Sequence, residues 1–260
     1  MFSNPTEING RWKLLMYYSI KFFAPVLASP YLNRNGDLVV ELISDSGRNF
    51  SGNLTVQIFG LKSLTPLFEQ NVKVKAQFLT SKEVFRVNKT ALQELNCGTT
   101  AKAGSLNPCV VYLTLPGTPD NFLFLQYPTN KLALRNPNLQ ITLVEAVNTK
   151  TVNFTVTTDA IAPFVFFTVR GDHRGYFSDN GFVLVTQERK MNYYSESGIT
   201  PQQFMDRLQV MSLYDVTKVA GSQVGVNSNM QLHRARSLQH YYRSSDENSV
   251  HLSHWLRDEY

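Results

Sequence analysis

Residues 72–78 read VKVKAQF, so Val72, Val74, Ala76 and Phe78 alternate with Lys73, Lys75 and Gln77. A period of two places one set on a dry face and the other in water, which is the pattern of a strand in a half-solvated antiparallel sheet. The same alternation recurs on both sides. Leu54, Val56 and Ile58 alternate with Thr55 and Gln57, and Val152, Phe154 and Val156 with Asn153, Thr155 and Thr157. Less regular strands are expected at 37–44, 83–87, 109–115, 138–147, 163–169, 182–186 and 206–213. Turn signals separate them: Asn35-Gly36, Ser46-Gly47, Pro116-Gly117 and Asp179-Asn180-Gly181. Many short strands with turns between them predict β-sandwiches. One short helix is expected at 90–96, where Thr90 and Gln93 have capping-box spacing.

The leading segment has a different period. In GRWKLLMYYSIKFFAPV (10–26), Trp12, Met16, Ile20 and Phe23 fall on one helical stripe, with Lys13, Tyr17 and Lys21 opposite. Pro25 then stops the helix by removing a backbone donor. Lys21 and the bulky aromatics make an amphipathic helix a better reading than a signal peptide. So broad an apolar face requires a partner surface. At the other end, residues 217–260 are polar and aperiodic and are expected to be a disordered tail. The proline- and asparagine-rich stretch at 126–138 reads as a boundary between two sandwiches. The expected fold is all-β, with two immunoglobulin-like sandwiches preceded by one amphipathic helix.

Composition narrows the function classes. The chain has 260 residues, 43% hydrophobic and 17% charged, which suits a packed core rather than a disordered chain. Lysine plus arginine exceed aspartate plus glutamate by 25 to 20, giving +5, but the cations are scattered and form no nucleic-acid stripe. No apolar run is long enough to span a membrane. His233, His240, His251 and His254 lie in the tail, which offers no ordered scaffold for a metal. His173 and the tripeptide Arg170-Gly171-Asp172 sit in a loop, where solvated roles are expected. No phosphate loop, nucleophile elbow or metal-binding histidine pair occurs. Asp159, Asp172, Asp179 and Glu188 are expected at turns or strand ends, so no catalytic residue, cofactor or metal is assigned.

Cys97 and Cys109 are the only cysteines. Their spacing leaves open either a disulfide closing the intervening loop or two free buried thiols. Glycosylation triplets begin at Asn49, Asn53, Asn88 and Asn153, and they permit a secretory route without requiring one.

KFFAPV (21–26), PCVVYLTL (108–115), APFVFFTV (162–169), GYFSDNGF (175–182) and LQVMSLYDV (208–216) together resemble the carboxyl-terminal part of animal lysosomal β-mannosidases, in glycoside hydrolase family two. That resemblance implies that 1–23 is the last helix of a catalytic (β/α)8 barrel, with Trp12, Met16, Ile20 and Phe23 packing on it. It implies a trailing sandwich at 24–127 and a terminal immunoglobulin-like domain at 128–216. It further implies a Cys97–Cys109 disulfide, a lysosomal location, and a missing catalytic barrel as partner. The family substrate is an oligosaccharide ending in non-reducing β-mannose, cleaved with retention by two glutamates that have no counterpart in this chain. A stand-alone immunoglobulin-like module binding carbohydrate or protein is the other reading of the same residues.

Overall fold

The computed structural model describes residues 6, 10–97, 108–126, 134–171 and 173–221. Its first element is helix α1 (Leu14–Phe22), which has no side-chain cap and no acidic residue in its first turn. A nine-residue helix with so little local support is held by tertiary packing. Strands β1 (Val26–Leu32), β2 (Leu38–Ser44) and β5 (Thr80–Val87) form one sheet in the order β1-β2-β5. Strands β3 (Phe50–Gly60), β4 (Phe68–Ala76), β6 (Cys109–Thr114) and β7 (Asn121–Phe124) form the facing sheet, ordered β4-β3-β6-β7. Their inner faces meet in a core that includes Leu38, Val40, Leu42, Leu54, Val56 and Ile58, all fully buried.

The strand β1 was not foreseen because Pro30 lies in it. Proline cannot donate to a ladder, but β1 is an edge strand, where a missing donor is tolerated. Phe78 corrects the expectation in the other direction. It continues the alternation of 72–78 in sequence, yet β4 ends at Ala76 and Phe78 is exposed in the turn, beside Leu79 at φ 51°.

Helix α2 (Lys89–Glu94) starts two residues earlier than expected at its cap: Asn88 Oδ1 accepts from Ala91 N at 2.8 Å. Cys97 and Cys109 are buried and disulfide-bonded, with Cα atoms 5.6 Å apart. The bond ties the segment after α2 to the start of β6.

The second sandwich packs β12 (Phe182–Leu184), β10 (Ala162–Val169) and β14 (Leu208–Met211) against β11 (Gly175–Phe177), β13 (Glu188–Ser195), β9 (Thr151–Thr157) and β8 (Gln140–Asn148). Phe154, Phe167, Phe177, Tyr193 and Phe204 interlock in its core, with ring centroids 5.0–6.5 Å apart in the contacting pairs. Phe204 comes from helix α3 (Pro201–Arg207), where the expectation was only a strand at 206–213. Thr200 and Gln203 close a capping box there, and Pro201 occupies the first turn. A last helix, α4 (Leu213–Gly221), replaces the tail expected from 217 as far as 221. The rest of that expected tail lies outside the described residues.

A third apolar cluster joins the two sandwiches. Phe59, Leu61, Val110 and Tyr112 come from the first, and Ile161, Val183 and Val185 from the second. Phe164 is turned toward this junction by a bulge in β10: the register with β12 shifts between Ala162 and Val165, and Phe164 has φ 55°. Its ring meets Phe124 at 5.2 Å and Phe122 at 5.8 Å. It is buried at the junction between the sandwiches.

Candidate functional site

The most connected site lies where α1, the turn before β7 and the β11–β13 region meet. Its origin is the GYFSDNGF segment. Gly181, at φ 74°, makes a turn that an L residue adopts poorly, and a Cβ there would stand 2.6 Å from Leu14 Cδ2. That closeness brings α1 onto the strands. Asn180 is 2% exposed and serves as a strand mimic. Its Oδ1 accepts from Phe167 N at 2.8 Å, and its Nδ2 donates to Phe167 O at 3.0 Å.

Asp179 was expected to be a solvated turn residue, and the structure overturns this. It is 9% exposed and carries two cations: Lys21 Nζ at 2.8 Å and Arg189 Nη2 at 2.9 Å. Arg189 also lies 3.9 Å from Asp120 and stacks over Phe182 at 4.1 Å from the ring centre. Asp120 accepts from Tyr112 Oη at 2.8 Å. Burial, with the Asp120 charge beside it, holds the Tyr112 hydroxyl well above the usual tyrosine range. Lys21 and Arg189 balance Asp179 and Asp120 in charge, so the cluster is neutral and can remain partly buried.

Two tyrosines complete the attachment of the helix. Phe177 N donates to Tyr17 Oη at 3.0 Å, and Tyr18 Oη donates to Gly181 O at 2.6 Å. Burial pushes the Tyr17 hydroxyl up to about 12. Trp12 stacks on Tyr176 at 4.3 Å and meets Tyr17 edge-on at 5.4 Å. A cleft of about 320 Å³ remains, lined by Trp12, Ile20, Lys21, Asp120, Asp179 and Arg189 among others.

The stripe containing Tyr17 and Lys21, read as the wet side of the helix, is therefore the docked side. Of the four residues expected to face a partner, Trp12 is turned to the chain's own sandwich and Met16 is half-buried. Ile20 and Phe23 do face outward, at 49% and 87% exposure, joined by Phe22 at 53%. Sequence reasoning gave Tyr17 and Lys21 only a solvated role and did not single out Tyr18, Asp120 or Arg189. One signal was available: two hydroxyl-bearing aromatics in a short apolar helix need acceptors or donors when buried.

The remaining sites stay apart. Asn49, Asn53, Asn88 and Asn153 are all exposed and distributed over both sandwiches. Asp159 and Glu188 are exposed, and Asp172 lies outside the described residues. His233, His240, His251 and His254 also lie outside them. Among the described residues no group of three or more His, Cys, Asp or Glu side chains converges, and no helix is long and apolar enough to cross a membrane.

Fold and site together define a paired β-sandwich region with an apolar helix clamped to its second half. The Ig-fold domain of the mannosidase family model matches residues 134–216, which contain β8 to β14 and the GYFSDNGF clamp. The chain is similar to the β-mannosidase of Capra hircus, 29% identical over 220 residues, covering 80% of this chain and 23% of that protein. It is similar also to β-mannosidase of Rattus norvegicus, at 26% over 218 residues, covering 81% and 24%, and to β-mannosidase A of Aspergillus clavatus, at 27% over 231 residues, covering 80% and 23%. The chain thus spans about a quarter of the length of these relatives. Its fold matches the β-D-mannosidase structure from Dictyoglomus thermophilum with a TM-score of 0.61 at 15% identity, over 80% of this chain and 24% of that one. The chain is thus similar to β-mannosidases of both animals and fungi, and the Ig-fold model matches its second sandwich.

Proposed function

We propose that this chain is the carboxyl-terminal accessory region of a lysosomal β-mannosidase, which hydrolyses terminal non-reducing β-mannose during glycoprotein N-glycan degradation. In this reading residues 1–23 belong to the last helix of the catalytic (β/α)8 barrel, 24–127 to the first trailing sandwich and 128–216 to the terminal domain. The observation that carries it is the two-sided character of α1. One side is fixed to the terminal sandwich by Tyr17, Tyr18 and Lys21, while Ile20, Phe22 and Phe23 are left bare on the other. An apolar flank of that size favours a covering surface by about 25 cal/mol per Å² removed from water.

The region's role is to hold and complete the barrel, not to react. Retaining hydrolysis uses two free carboxylates about 5–5.5 Å apart across the scissile bond. The buried acid here, Asp179, is occupied by Lys21 and Arg189, and Asp120 by Tyr112. The exposed triplets at Asn49, Asn53, Asn88 and Asn153 are proposed as glycosylation sites, and with the disulfide they suit a secretory route to the lysosome. The alternative of a stand-alone binding module gains no support from the aromatics near α1, because Trp12 and Tyr176 cover one another.

The test begins with the full transcript, which should encode a barrel upstream of this region. In the full-length product, Phe22→Asp with Phe23→Asp should lower the yield of active enzyme on a chromogenic β-mannoside. The same pair should leave the unfolding midpoint of the 260-residue chain nearly unchanged. Turnover by the 260-residue chain alone, or full activity of the double variant, would overturn the proposal.

A further inference from the structure

A second cleft, of about 590 Å³, lies at the far end of β10 and is lined by Arg170, Gly171, His173, Ser197 and Arg207. Arg170 follows β10 and Arg207 ends α3, and Arg170 N donates to Arg207 O at 3.0 Å, so the backbone holds the two cationic residues side by side. With its amide oxygen facing the guanidinium, Gln209 accepts from Arg170 Nη2 and Nε at 3.0 and 3.1 Å. That contact fixes the guanidinium plane and leaves Nη1 unpaired among the described residues. Gly171, at φ 84°, turns the chain beside Arg207: a Cβ there would stand 3.9 Å from Arg207 Nη1.

Among the described residues no carboxylate pairs with Arg170, Arg174 or Arg207. Asp206, next to Arg207, is engaged by Gln202 at 2.9 Å, and no ion pair joins Glu196 to these arginines. Asp172 lies outside the described residues. Adjacent guanidinium groups repel, and an anion between them relieves that repulsion, since guanidinium N–H groups match the oxygens of an oxyanion.

We propose that this cleft binds an oxyanion of the phosphate or sulfate class, held by Arg170 and Arg207, with Ser197 supplying a further hydrogen bond. This inference is independent of the β-mannosidase reading.

The test titrates inorganic phosphate, inorganic sulfate, glycerol 3-phosphate and acetate into the full chain by calorimetry, with sodium chloride at matched ionic strength. Saturable binding of phosphate and sulfate is expected, with acetate much weaker. Equal binding of glycerol 3-phosphate identifies an esterified group as the ligand, and its exclusion identifies the free anion; either supports the site. Arg207→Gln should weaken phosphate by about tenfold or more, as the loss of a charge-assisted contact implies. Ser197→Asp, at an exposed position, should do the same by placing a carboxylate in the cleft, and it keeps the test valid if Arg207→Gln folds poorly. Absence of saturable binding, equal binding of acetate, or phosphate affinity unchanged in the folded variants would each overturn the assignment.

Discussion

Lys21 Nζ on α1 stands 2.8 Å from Asp179 Oδ1, joining residues 158 positions apart. Both side chains are nearly buried, at 14% and 12% exposure, and Arg189 approaches the other carboxylate oxygen. Asp179 is therefore the hub, and the two cations are not equivalent to it. Asp179→Ala strands Lys21, leaves Arg189 only its longer contact with Asp120, and should cost about 3 kcal/mol. Lys21→Met leaves Arg189 in place and should cost about 1–2 kcal/mol. Urea unfolding of each variant measures the difference; equal, small losses would mean that the cluster does not fasten the helix.

Gly181 and Leu14 should be energetically coupled. Gly181→Ala meets both an unfavourable φ of 74° and Leu14 Cδ2 at 2.6 Å, and should destabilise by about 1–3 kcal/mol. In a Leu14→Ala background the steric part disappears and only the backbone part remains. A double-mutant cycle should return a coupling of about 0.5 kcal/mol or more. Strict additivity would show that the helix does not rest on this turn.

Alkaline pH should loosen the clamp. Burial raises the Tyr17 hydroxyl to about 12 in the fold, against about 10 in an unfolded chain. Between those values the unfolded chain has lost a proton that the folded chain retains, so stability falls as pH rises, and below about pH 10 this contribution is constant. Tyr193, also pushed up to about 12 by burial, acts in the same window. Tyr17→Phe should therefore reduce the slope of stability against pH there by about 1.4 kcal/mol per unit. Unfolding free energies measured on both sides of pH 10 decide it; an unchanged slope would refute the buried hydroxyl.

Reduction should weaken the first sandwich. Cys97 and Cys109 are twelve positions apart, and opening a loop of that size costs about 3 kcal/mol in the chain-entropy treatment. Denaturant unfolding with and without reductant, and of the Cys97→Ser/Cys109→Ser variant, should show matching losses. A reduced chain as stable as the oxidised one would contradict this.

The strands with clean alternation were legible, because burying one face of a sheet imposes a period of two on the residues themselves. Residues 54–58 fall within β3 and 152–157 within β9. The strand β13 was not legible: Glu188, Arg189 and Lys190 give it a polar beginning, although its later residues Met191 and Tyr193 are buried between β9 and β11. The pairing came from neighbours, not from its own pattern. Helix α1 was legible as a helix, but not its orientation. Tyr17 and Lys21 read with Lys13 as its wet stripe, whereas the polar ends of Tyr17, Tyr18 and Lys21 found partners on GYFSDNGF.

What the residues dictated alone is the material of the fold: apolar periods, turn glycines and prolines, and a leading helix richer in hydrophobic surface than it can bury by itself. What required the folded chain is which carboxylate became a hub and which helix flank stayed bare. A period reports only how often a side chain leaves water. It carries no information about which distant hydroxyl or charge will stand opposite, because that depends on strand order and on contacts such as Lys21 with Asp179, far apart along the chain.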